Sequence, residues 1–442
     1  MTKKTAIIAG GGIAGLAAAV FLDELGFRVT LFEKKPIFGG RAYSFSDKKT
    51  GCVVDNGQHL LIGAYHETIS LVERVGAKHK LQTQIPTKVP LCFEGGRRAD
   101  FKIANAPPPL GILSGFLKCP LFSIREKFLL FKLGKTLRKM KSGKKPLPEN
   151  QTVREWLESC GQTPRLIRNF WEILTLATLN DTIDFACASH LVVVLLKSFF
   201  SERQDGFLIF PKVGLSELFV EPILDYLKLR GQTVQTSIGL EKINILDHRA
   251  QSFVFSDGSV KKADLFISAL PPHRLLKVLP EAFVSTQKDL KRIKDFSCSP
   301  IVSINLFYDQ NFMTDTFLGS SHTKVHWFFN KDQIFSKRET TTHIMGVISG
   351  AREFLDKGRE EIIAMARQDL ESLYPKFRNA KLEHATVTIE RQATVSFGVE
   401  SHQWRPEQKI LDNFYVIGDW TKTGLPATIE SAVMSAKKIL EM

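Results

Sequence analysis

The chain has 442 residues, of which 43% are hydrophobic and 24% are charged. This composition is typical of a globular protein and excludes a disordered or collagen-like chain. The six cysteines stand singly, with no C-x-x-C pair. Their spacing argues against a disulfide framework and a structural zinc site, and it favours the reducing cytosol.

An excess of basic residues gives the chain a formal net charge of +14. Most of this charge lies in residues 118–145, where ten Lys and Arg residues and one acid, Glu126, together contribute +9. Such a concentration indicates an anionic partner or a local cause. No nucleic-acid fold signature accompanies it, so we do not expect the protein to bind nucleic acid.

The predicted elements begin with a βαβ unit, in which a strand over Thr5–Ala9, a helix over Ile13–Leu25 and a strand over Arg28–Glu33 follow one another. The uncharged run Thr5–Leu22 resembles a secretory signal, but its four glycines and the strand behind it argue against one. No other uncharged apolar run approaches the ~20 residues of a membrane span. We therefore expect a cytoplasmic protein, either soluble or peripheral on the cytoplasmic membrane face.

The turn inside this unit, Gly10-Gly11-Gly12-Ile13-Ala14-Gly15, fits the dinucleotide pattern G-x-G-x-x-G after a strand and before a helix. Gly10 is expected to make the tight turn, Gly12 to let backbone N–H groups approach a pyrophosphate, and Gly15 to pack helix against strand. Glu33, next to Lys34, ends the second strand and is placed to bind ribose hydroxyls. Its charge disfavours a 2′-phosphate, so the pattern indicates FAD or NAD rather than NADP.

Residues 86–150 change in character, with a proline run at 107–109 and then a basic segment rich in Leu and Phe. As a helix, residues 128–141 place apolar side chains on one side (Leu129, Leu130, Leu133, Leu137, Met140) and basic ones on the other (Lys132, Lys135, Arg138, Lys139). Phe128 and Phe131 fall toward the basic side. Two interpretations remain open: the helix docks on an anionic membrane surface, or it is a solvated helix over an ordinary core.

Residues 152–200 are predicted as helices. The later predicted elements are, in chain order, a helix from Pro211 to Tyr226 that Pro222 kinks or restarts, a strand near Val234, a hairpin turning at 247–250, an apolar strand Asp264–Leu270, mixed strands and helices over 296–400, and a strand, glycine turn and helix over 414–442.

Two further clusters favour FAD over NAD. Gly39-Gly40-Arg41 resembles the second phosphate-contact motif of flavoproteins with the amine oxidase and phytoene desaturase fold, and Arg41 offers a rigid donor fork. The predicted strand at 414–417 ends in Gly418-Asp419, the pattern in which the acid holds the ribityl and phosphate end of FAD. Pro426-Ala427-Thr428 then begins the last helix, whose first N–H groups can face the flavin N1/C2 edge and stabilise its reduced form.

These motifs predict a dinucleotide domain that is interrupted by a second domain. The expected fold class is α/β: a discontinuous Rossmann-like FAD-binding domain with an inserted α+β substrate domain, as in amine oxidase-like flavoproteins. The predicted FAD-binding parts are 1–85, 209–295 and 406–442. The predicted substrate-domain parts are 86–208 and 296–405.

The chain as a whole resembles the hydroxysqualene dehydroxylases, also described as squalene-associated FAD-dependent desaturases, within the flavin amine oxidase and phytoene desaturase superfamily. The matching residues are Val54-Asp55-Asn56-Gly57-Gln58-His59-Leu60-Leu61, Tyr65-His66-Glu67-Thr68, Phe170-Trp171-Glu172, Ala177, Leu179-Asn180, Pro211, Leu215-Ser216-Glu217-Leu218-Phe219, Ser268-Ala269-Leu270-Pro271-Pro272, Arg391 to Thr394, Arg405-Pro406, Gly418-Asp419-Trp420-Thr421, Gly424 and Pro426-Ala427-Thr428. One departure is Ile429-Glu430-Ser431, where relatives tend to carry Met and Gly.

The resemblance implies a hydroxylated triterpene as substrate, reduced to squalene in squalene and hopanoid biosynthesis, and upstream enzymes of that pathway as partners. It implies that Asn56, Gly57, Gln58 and His59 lie along the flavin. Loss of an allylic hydroxyl, before hydride delivery from reduced flavin, needs a proton donor beside the leaving oxygen. His59 is the candidate for this role, and positioning of the isoalloxazine is its alternative role. For Tyr65 and His66 a structural role is favoured.

Other readings stay open beside this one. A desaturase or an amine oxidase would run the flavin oxidatively, and a non-catalytic lipid-binding module would use the same fold without flavin. An external reductant such as NADPH has no Rossmann fingerprint of its own in the sequence. No metal site is expected, since His322 and His326 lack a nearby acid or third ligand.

Overall fold

The computed structural model describes residues 3–336 and 342–441. Its helices are α1 (Ile13–Glu24), α2 (His66–Arg74), α3 (Leu110–Lys118), α4 (Ile124–Lys141), α5 (Val153–Ser159), α6 (Pro164–Leu166), α7 (Glu172–Leu179), α8 (Ala188–Phe199), α9 (Glu221–Leu229), α10 (Pro272–Val278), α11 (Glu281–Thr286), α12 (Lys288–Arg292), α13 (Lys331–Phe335), α14 (Arg359–Leu373) and α15 (Ile429–Lys437). Wider π-helical turns precede two of them, at Ile167–Trp171 and Ser216–Val220.

The strands are β1 (Thr5–Ala9), β2 (Arg28–Phe32), β3 (Ser44–Ser46), β4 (Val53–Asp55), β5 (Leu61–Ile62), β6 (Leu81–Thr83), β7 (Thr87–Phe93), β8 (Arg97–Ile103), β9 (Leu208–Pro211), β10 (Thr233–Gln235), β11 (Leu240–Leu246), β12 (Arg249–Phe255), β13 (Val260–Lys261), β14 (Leu265–Ser268), β15 (Ser297–Tyr308), β16 (Phe317–Ser320), β17 (Trp327–Asn330), β18 (Thr342–Ser349), β19 (Leu382–Ser396), β20 (Lys409–Leu411) and β21 (Phe414–Val416).

A six-stranded sheet in the order β10-β2-β1-β14-β21-β20 joins distant parts of the chain. All its pairs are parallel except β20 with β21. Parallel strands end at one edge, so the turns after β1, β2, β14 and β21 meet there. Helix α1 is buried from Ile13 to Leu22 because it packs between this sheet and α15.

A second large sheet has seven strands in the order β19-β15-β18-β17-β16-β7-β8. It is antiparallel except for β16 with β7. Helices α3 to α8 pack beside it in one aromatic and leucine-rich core. The predicted discontinuous arrangement is thus visible in the sheets, while the segment boundaries at residues 85, 208, 295 and 405 stay predictions.

Most predicted elements after residue 200 are confirmed, with one correction. The hairpin of β11 and β12 turns at Asp247 and His248, whose φ angles of 48° and 54° suit its tight turn. The helix predicted from Pro211 is wrong at its start, because Pro211 pairs with Leu81 as the last residue of β9. Pro222 is the second residue of α9, which directly follows the π-helical turn Ser216–Val220, so it lies where the helix changes from π to α geometry.

The predicted basic helix lies within α4, which begins at Ile124 behind a capping box of Ser123 and Glu126. Four members of its predicted apolar stripe, Leu130, Leu133, Leu137 and Met140, are buried in the protein core. This stripe is therefore not available to lipid. No helix within residues 3–336 and 342–441 combines the length and the apolar character needed to cross a bilayer.

Candidate functional site

A cavity of about 960 Å³ runs from the edge of the six-stranded sheet into the space between the seven-stranded sheet and α3, α4, α7 and α8. At the sheet edge it is lined by most of the residues that the sequence motifs predict: Gly10, Gly12, Ile13, Ala14, Glu33, Lys34, Gly39, Gly40, Arg41, Gln58, His59, Gly418, Asp419, Pro426, Ala427 and Thr428. Gly15, Asn56 and Gly57 do not line it. Four predicted motifs therefore meet at one end of this cavity. They are the glycine turn with Glu33, Gly39-Gly40-Arg41, the Gln58-His59 end of the D-N-G-Q-H segment, and Gly418-Asp419 with Pro426-Ala427-Thr428.

The glycine turn after β1 has the shape of a cradle for a phosphate. Gly10 has a φ of +109°, and a Cβ there would lie 2.7 Å from the Ala269 carbonyl oxygen. A Cβ on Gly12 would meet only the Gly40 Cα, at 3.8 Å, and would otherwise project into open space. A Cβ on Gly15 would lie 1.9 Å from the Gly10 oxygen. The lack of a side chain at Gly12 thus leaves room in the cavity. The lack of a side chain at Gly15 lets α1 pack closely against the turn at Gly10.

Glu33 closes the same end of the cavity. Its carboxylate accepts hydrogen bonds from the backbone N–H groups of Gly11 and Lys35, both at 2.7 Å. These contacts hold the carboxylate beside the glycine turn, at the place where a dinucleotide presents its ribose hydroxyls in this type of fold.

Arg41 and Asp419 join two motifs that lie 378 residues apart. The Arg41 Nη2 lies 2.7 Å from Asp419 Oδ1, and Nη1 donates to the Ala393 carbonyl at 2.9 Å. Burial would lower the pKa of Arg41, but the Asp419 carboxylate outweighs it and holds the pKa above its usual value. Two of the Arg41 nitrogen atoms thus already make hydrogen bonds within the protein. The positive charge of Arg41 remains beside the cavity.

Arg405 shapes the loop before α15 and was missed as a site residue by the sequence motifs. Its guanidinium donates to the carbonyls of Leu425 and Asp419, and to the hydroxyl of Thr423 at 3.2 Å. Burial lowers the pKa of Arg405 to about 10, although Asp419 opposes the shift. The one sequence signal for it is its place in the Arg405-Pro406 cluster.

Asn56 and Gly57 lie behind the cavity wall. The buried Asn56 amide donates to the Arg41 carbonyl at 3.2 Å and so supports the turn that carries Arg41. The next two residues, Gln58 and His59, reach the cavity. The D-N-G-Q-H segment therefore supplies both a supporting layer and a lining layer.

Lys331 holds this segment in place and was also missed. It is 1% exposed, and its Nζ lies 3.0 Å from Asp55 Oδ2 and 2.6 Å from Gln58 Oε1. Burial lowers the pKa of Lys331, against the pull of Asp55. Lys331 lies 276 residues from Asp55 at the start of α13, and no motif in the sequence marks it.

The three candidates for acid–base roles have different surroundings. His59 lines the cavity, and burial lowers its pKa while Asp55 opposes the shift. Tyr65 also lines the cavity, and burial raises its pKa to about 12. His66 begins α2 and pairs with the buried Asp205 at 2.7 Å. His66 is therefore a structural residue, as favoured from the sequence.

Helix α15 presents its N-terminus to the cavity. The Thr428 hydroxyl accepts from the Ser431 N–H at 3.2 Å and caps the helix. Glu430, in the segment that departs from the relatives, turns away to α2, where its carboxylate accepts from the Thr68 N–H and hydroxyl and from the Glu67 N–H. Glu430 therefore connects α15 to α2.

The other end of the cavity is apolar. Its walls include Phe101, Phe116 and Phe170, whose rings contact one another with centroids 5.0–5.8 Å apart. Pockets of this size and character bind small organic ligands. No cluster of three His, Cys, Asp or Glu side chains that suits a metal occurs in the described part of the chain.

The geometry fits FAD at the sheet edge. The glycine turn leaves room for a pyrophosphate, Glu33 lies where a ribose binds, and Asp419 and the N-terminus of α15 line the same cavity. Each of these groups has the polarity that its part of the dinucleotide needs.

Comparisons with known proteins agree with this reading. A family model described as flavin containing amine oxidoreductase matches residues 13–439. The chain is 27% identical to a hydroxysqualene dehydroxylase of Zymomonas mobilis subsp. mobilis over 98% of both chains. It is 24% identical to a 15-cis-phytoene desaturase of Solanum lycopersicum over 98% of this chain and 76% of that one.

An oxidoreductase from Methanosarcina mazei, 19% identical, shares the fold with a TM-score of 0.77 over 99% of this chain and 100% of that one. These matches confirm the predicted fold class and the predicted resemblance to hydroxysqualene dehydroxylases. Together they show that the chain belongs to the flavin containing amine oxidoreductase family.

Proposed function

We propose that the protein is an FAD-dependent oxidoreductase that removes the hydroxyl group of hydroxysqualene and releases squalene. The observation that carries this proposal is the continuity of the cavity, which joins a dinucleotide cradle to a long apolar chamber. The hydroxysqualene dehydroxylase of Zymomonas mobilis, matched over nearly its full length, supports the choice of substrate.

The proposed reaction breaks the C–O bond of the alcohol and forms a C–H bond at the same carbon. The oxygen takes up a proton and leaves as water. When bound, reduced FAD would supply the hydride, and an external reductant such as NADPH would return the two electrons. The protein's tasks are to bind the hydrocarbon, to exclude water and to place a proton donor at the oxygen.

The residues around the cavity suit those tasks. The apolar walls, with Phe116, Phe170 and Leu174 among them, bind hydrocarbon and exclude water. Within this proposal His59 is the candidate proton donor. The N-terminus of α15 favours negative charge on a bound flavin, which stabilises the reduced cofactor.

A second candidate is an oxidative desaturase, because a phytoene desaturase also matches 98% of the chain. The two reactions run the flavin in opposite directions. Anaerobic incubation of the photoreduced FAD-loaded protein with hydroxysqualene, followed by product analysis, separates them. We expect squalene and oxidised flavin in equal amounts, and no squalene from the oxidised protein.

Failure to form squalene, together with reduction of the oxidised flavin by a hydrocarbon or an amine, would favour the desaturase or amine oxidase. A purified protein without flavin absorbance, which gains none on reconstitution with FAD, would favour a lipid-binding module.

A further inference from the structure

Helix α4 carries a second apolar stripe that faces away from the protein. Ile124, Phe128 and Phe131 are 89%, 67% and 43% exposed. Their spacing of four and three residues places them on one face of the helix. At about 100° per residue this face lies opposite the buried stripe around Leu133. The helix is thus apolar on its core side and apolar again toward solvent.

Basic side chains flank this outer stripe on both sides. Arg125, Lys132 and Lys139 follow one flank, and Lys127 and Arg138 the other. All but Lys127, which is half-buried, are exposed. On the stripe itself, the Lys135 Nζ lies 4.7 Å from the centre of the Phe131 ring.

The single acid of this segment is directed inward. Glu126 is buried, and its carboxylate lies 2.6 Å from the Arg165 guanidinium. The charge that α4 presents to the outside is therefore positive throughout.

Helix α3 extends the same surface. The Lys127 Nζ donates to the Leu117 carbonyl at 2.7 Å, which places the end of α3 beside the start of α4. Leu110 and Leu117 of α3 are also exposed large apolar side chains. We call the surface formed by Leu110, Leu117, Ile124, Phe128, Phe131 and the basic residues around them the α3–α4 face.

The cavity reaches the outside at this face. Phe131, Lys135 and Arg138 line the cavity and are also exposed, as is Lys197 of α8 across from them. A molecule that leaves the apolar chamber here meets the aromatic and basic stripe before it meets open water.

We propose that the α3–α4 face docks on an anionic lipid bilayer and that the cavity opens toward the lipid there. Exposed aromatic and aliphatic side chains between two rows of Lys and Arg match the acyl boundary and the negative headgroups of such a surface. The role of the opening in substrate entry rests on the proposed function, whereas the docking itself does not.

Flotation of the FAD-loaded protein with vesicles tests the docking without any substrate. One set of vesicles is phosphatidylcholine alone, and the other is an equal mixture with phosphatidylglycerol. We expect binding to the anionic vesicles that weakens as salt rises, and much weaker binding to the neutral ones. Equal binding to both, or no binding to either, would overturn the proposal.

Two sets of variants assign the binding to this face. Arg125→Gln with Lys132→Gln and Lys139→Gln should lower the affinity for anionic vesicles by roughly 100-fold. Lys228→Gln with Lys261→Gln and Lys262→Gln removes equal charge from exposed positions elsewhere and should leave binding unchanged. Equal losses in both sets would mean that net charge, and not this face, drives binding.

The apolar stripe has its own control. Ile124→Ser with Phe128→Ser should weaken vesicle binding, whereas Leu229→Ser with Val260→Ser, at exposed apolar positions of the other domain, should not.

In a folded single variant, Phe128→Trp, the emission of the introduced indole should shift to the blue on anionic vesicles, and the Leu229→Trp variant should show no shift. An unshifted emission spectrum of the Phe128→Trp variant would contradict insertion. Change of the oligomeric state by the stripe variants, without vesicle binding, would assign the face to a second copy instead.

Because these assays contain no hydroxysqualene, they can fail while detergent-solubilised enzyme still forms squalene. Conversely, docking can be found in a protein that forms none. The two proposals are therefore tested separately.

Discussion

Gly12 and Gly15 lie three residues apart in the turn after β1, and an added side chain would meet different neighbours at each. Gly12→Val should fold but lose FAD, because its side chain projects toward the place of the pyrophosphate. Gly15→Ala should lower the free energy of unfolding by about 1–3 kcal/mol, because its Cβ overlaps the Gly10 oxygen. Flavin absorbance and thermal unfolding of the FAD-free proteins distinguish the two effects. A Gly12→Val protein with full flavin content would contradict the placement.

His59 carries a prediction about pH. Because burial lowers its pKa, the protonated fraction of His59 at neutral pH is small. If His59 protonates the leaving hydroxyl, turnover of reduced enzyme should rise as the pH falls from about 8 to about 6. His59→Ala should then slow turnover by ~10²–10⁴ while FAD stays bound, and should remove this pH dependence. Loss of flavin in the variant would assign His59 to cofactor positioning.

The residues that the sequence could identify are those whose role depends on near neighbours. Gly10, Gly12 and Glu33 belong to one βαβ unit, so their spacing alone predicts the cradle. Lys331 reaches its partner Asp55 only because α13 folds back from the seven-stranded sheet. Such a contact depends on the tertiary fold, and a single sequence contains no local sign of it.

Two histidines, one in the seven-stranded sheet and one directly before β17, are kept uncharged by their surroundings. His343 of β18 is buried against Phe307, with its Nε2 2.9 Å from Asn305 Oδ1, and burial lowers its pKa to about 3. His326 accepts the Ser349 N–H at 3.1 Å, and burial lowers its pKa to about 4. Both bind protons more readily in the unfolded chain, so acid favours unfolding.

The free energy of unfolding should therefore fall as the pH falls from about 6.5 to about 4, with each histidine contributing a slope of about 1.4 kcal/mol per pH unit. Denaturant unfolding at several pH values measures the slope. His343→Gln should reduce it by the contribution of one histidine. A variant with the slope of the original protein would mean that His343 is not kept neutral by the fold.

Helix α4 was predictable as a helix, but the burial of its side chains was not. The sequence predicted a helix with an apolar and a basic side, and the structure confirms the helix. The sequence alone could not show which apolar side chains of α4 are buried, because the stripe around Leu133 and the stripe around Phe128 both have helical spacing. That choice depends on the packing of α4 against α3, α5 and α8, which brings Leu133 inward and leaves Phe128 outside.

The two large sheets explain why motifs scattered along the chain line the same cavity. The six-stranded sheet gathers the cofactor motifs at one edge, and the seven-stranded sheet with its helices provides the apolar chamber beyond it. The order of strands and helices could be predicted from the sequence to a large extent. The path of the cavity could not, because aromatic side chains from separate segments, such as Phe116 and Phe170, must meet to form its walls.

At Gly134 a larger side chain should close the cavity without displacing neighbouring residues. Gly134 lies in α4 on the cavity wall, and a Cβ there would have no neighbour within 4 Å. Gly134→Trp should therefore fill the route near the α3–α4 face while FAD remains bound, and should lower kcat/KM for hydroxysqualene by about tenfold or more. Gly134→Ala should keep turnover and raise the free energy of unfolding by up to about 1 kcal/mol, since alanine favours the helix. Full turnover by a folded, flavin-loaded Gly134→Trp protein would place the substrate route elsewhere.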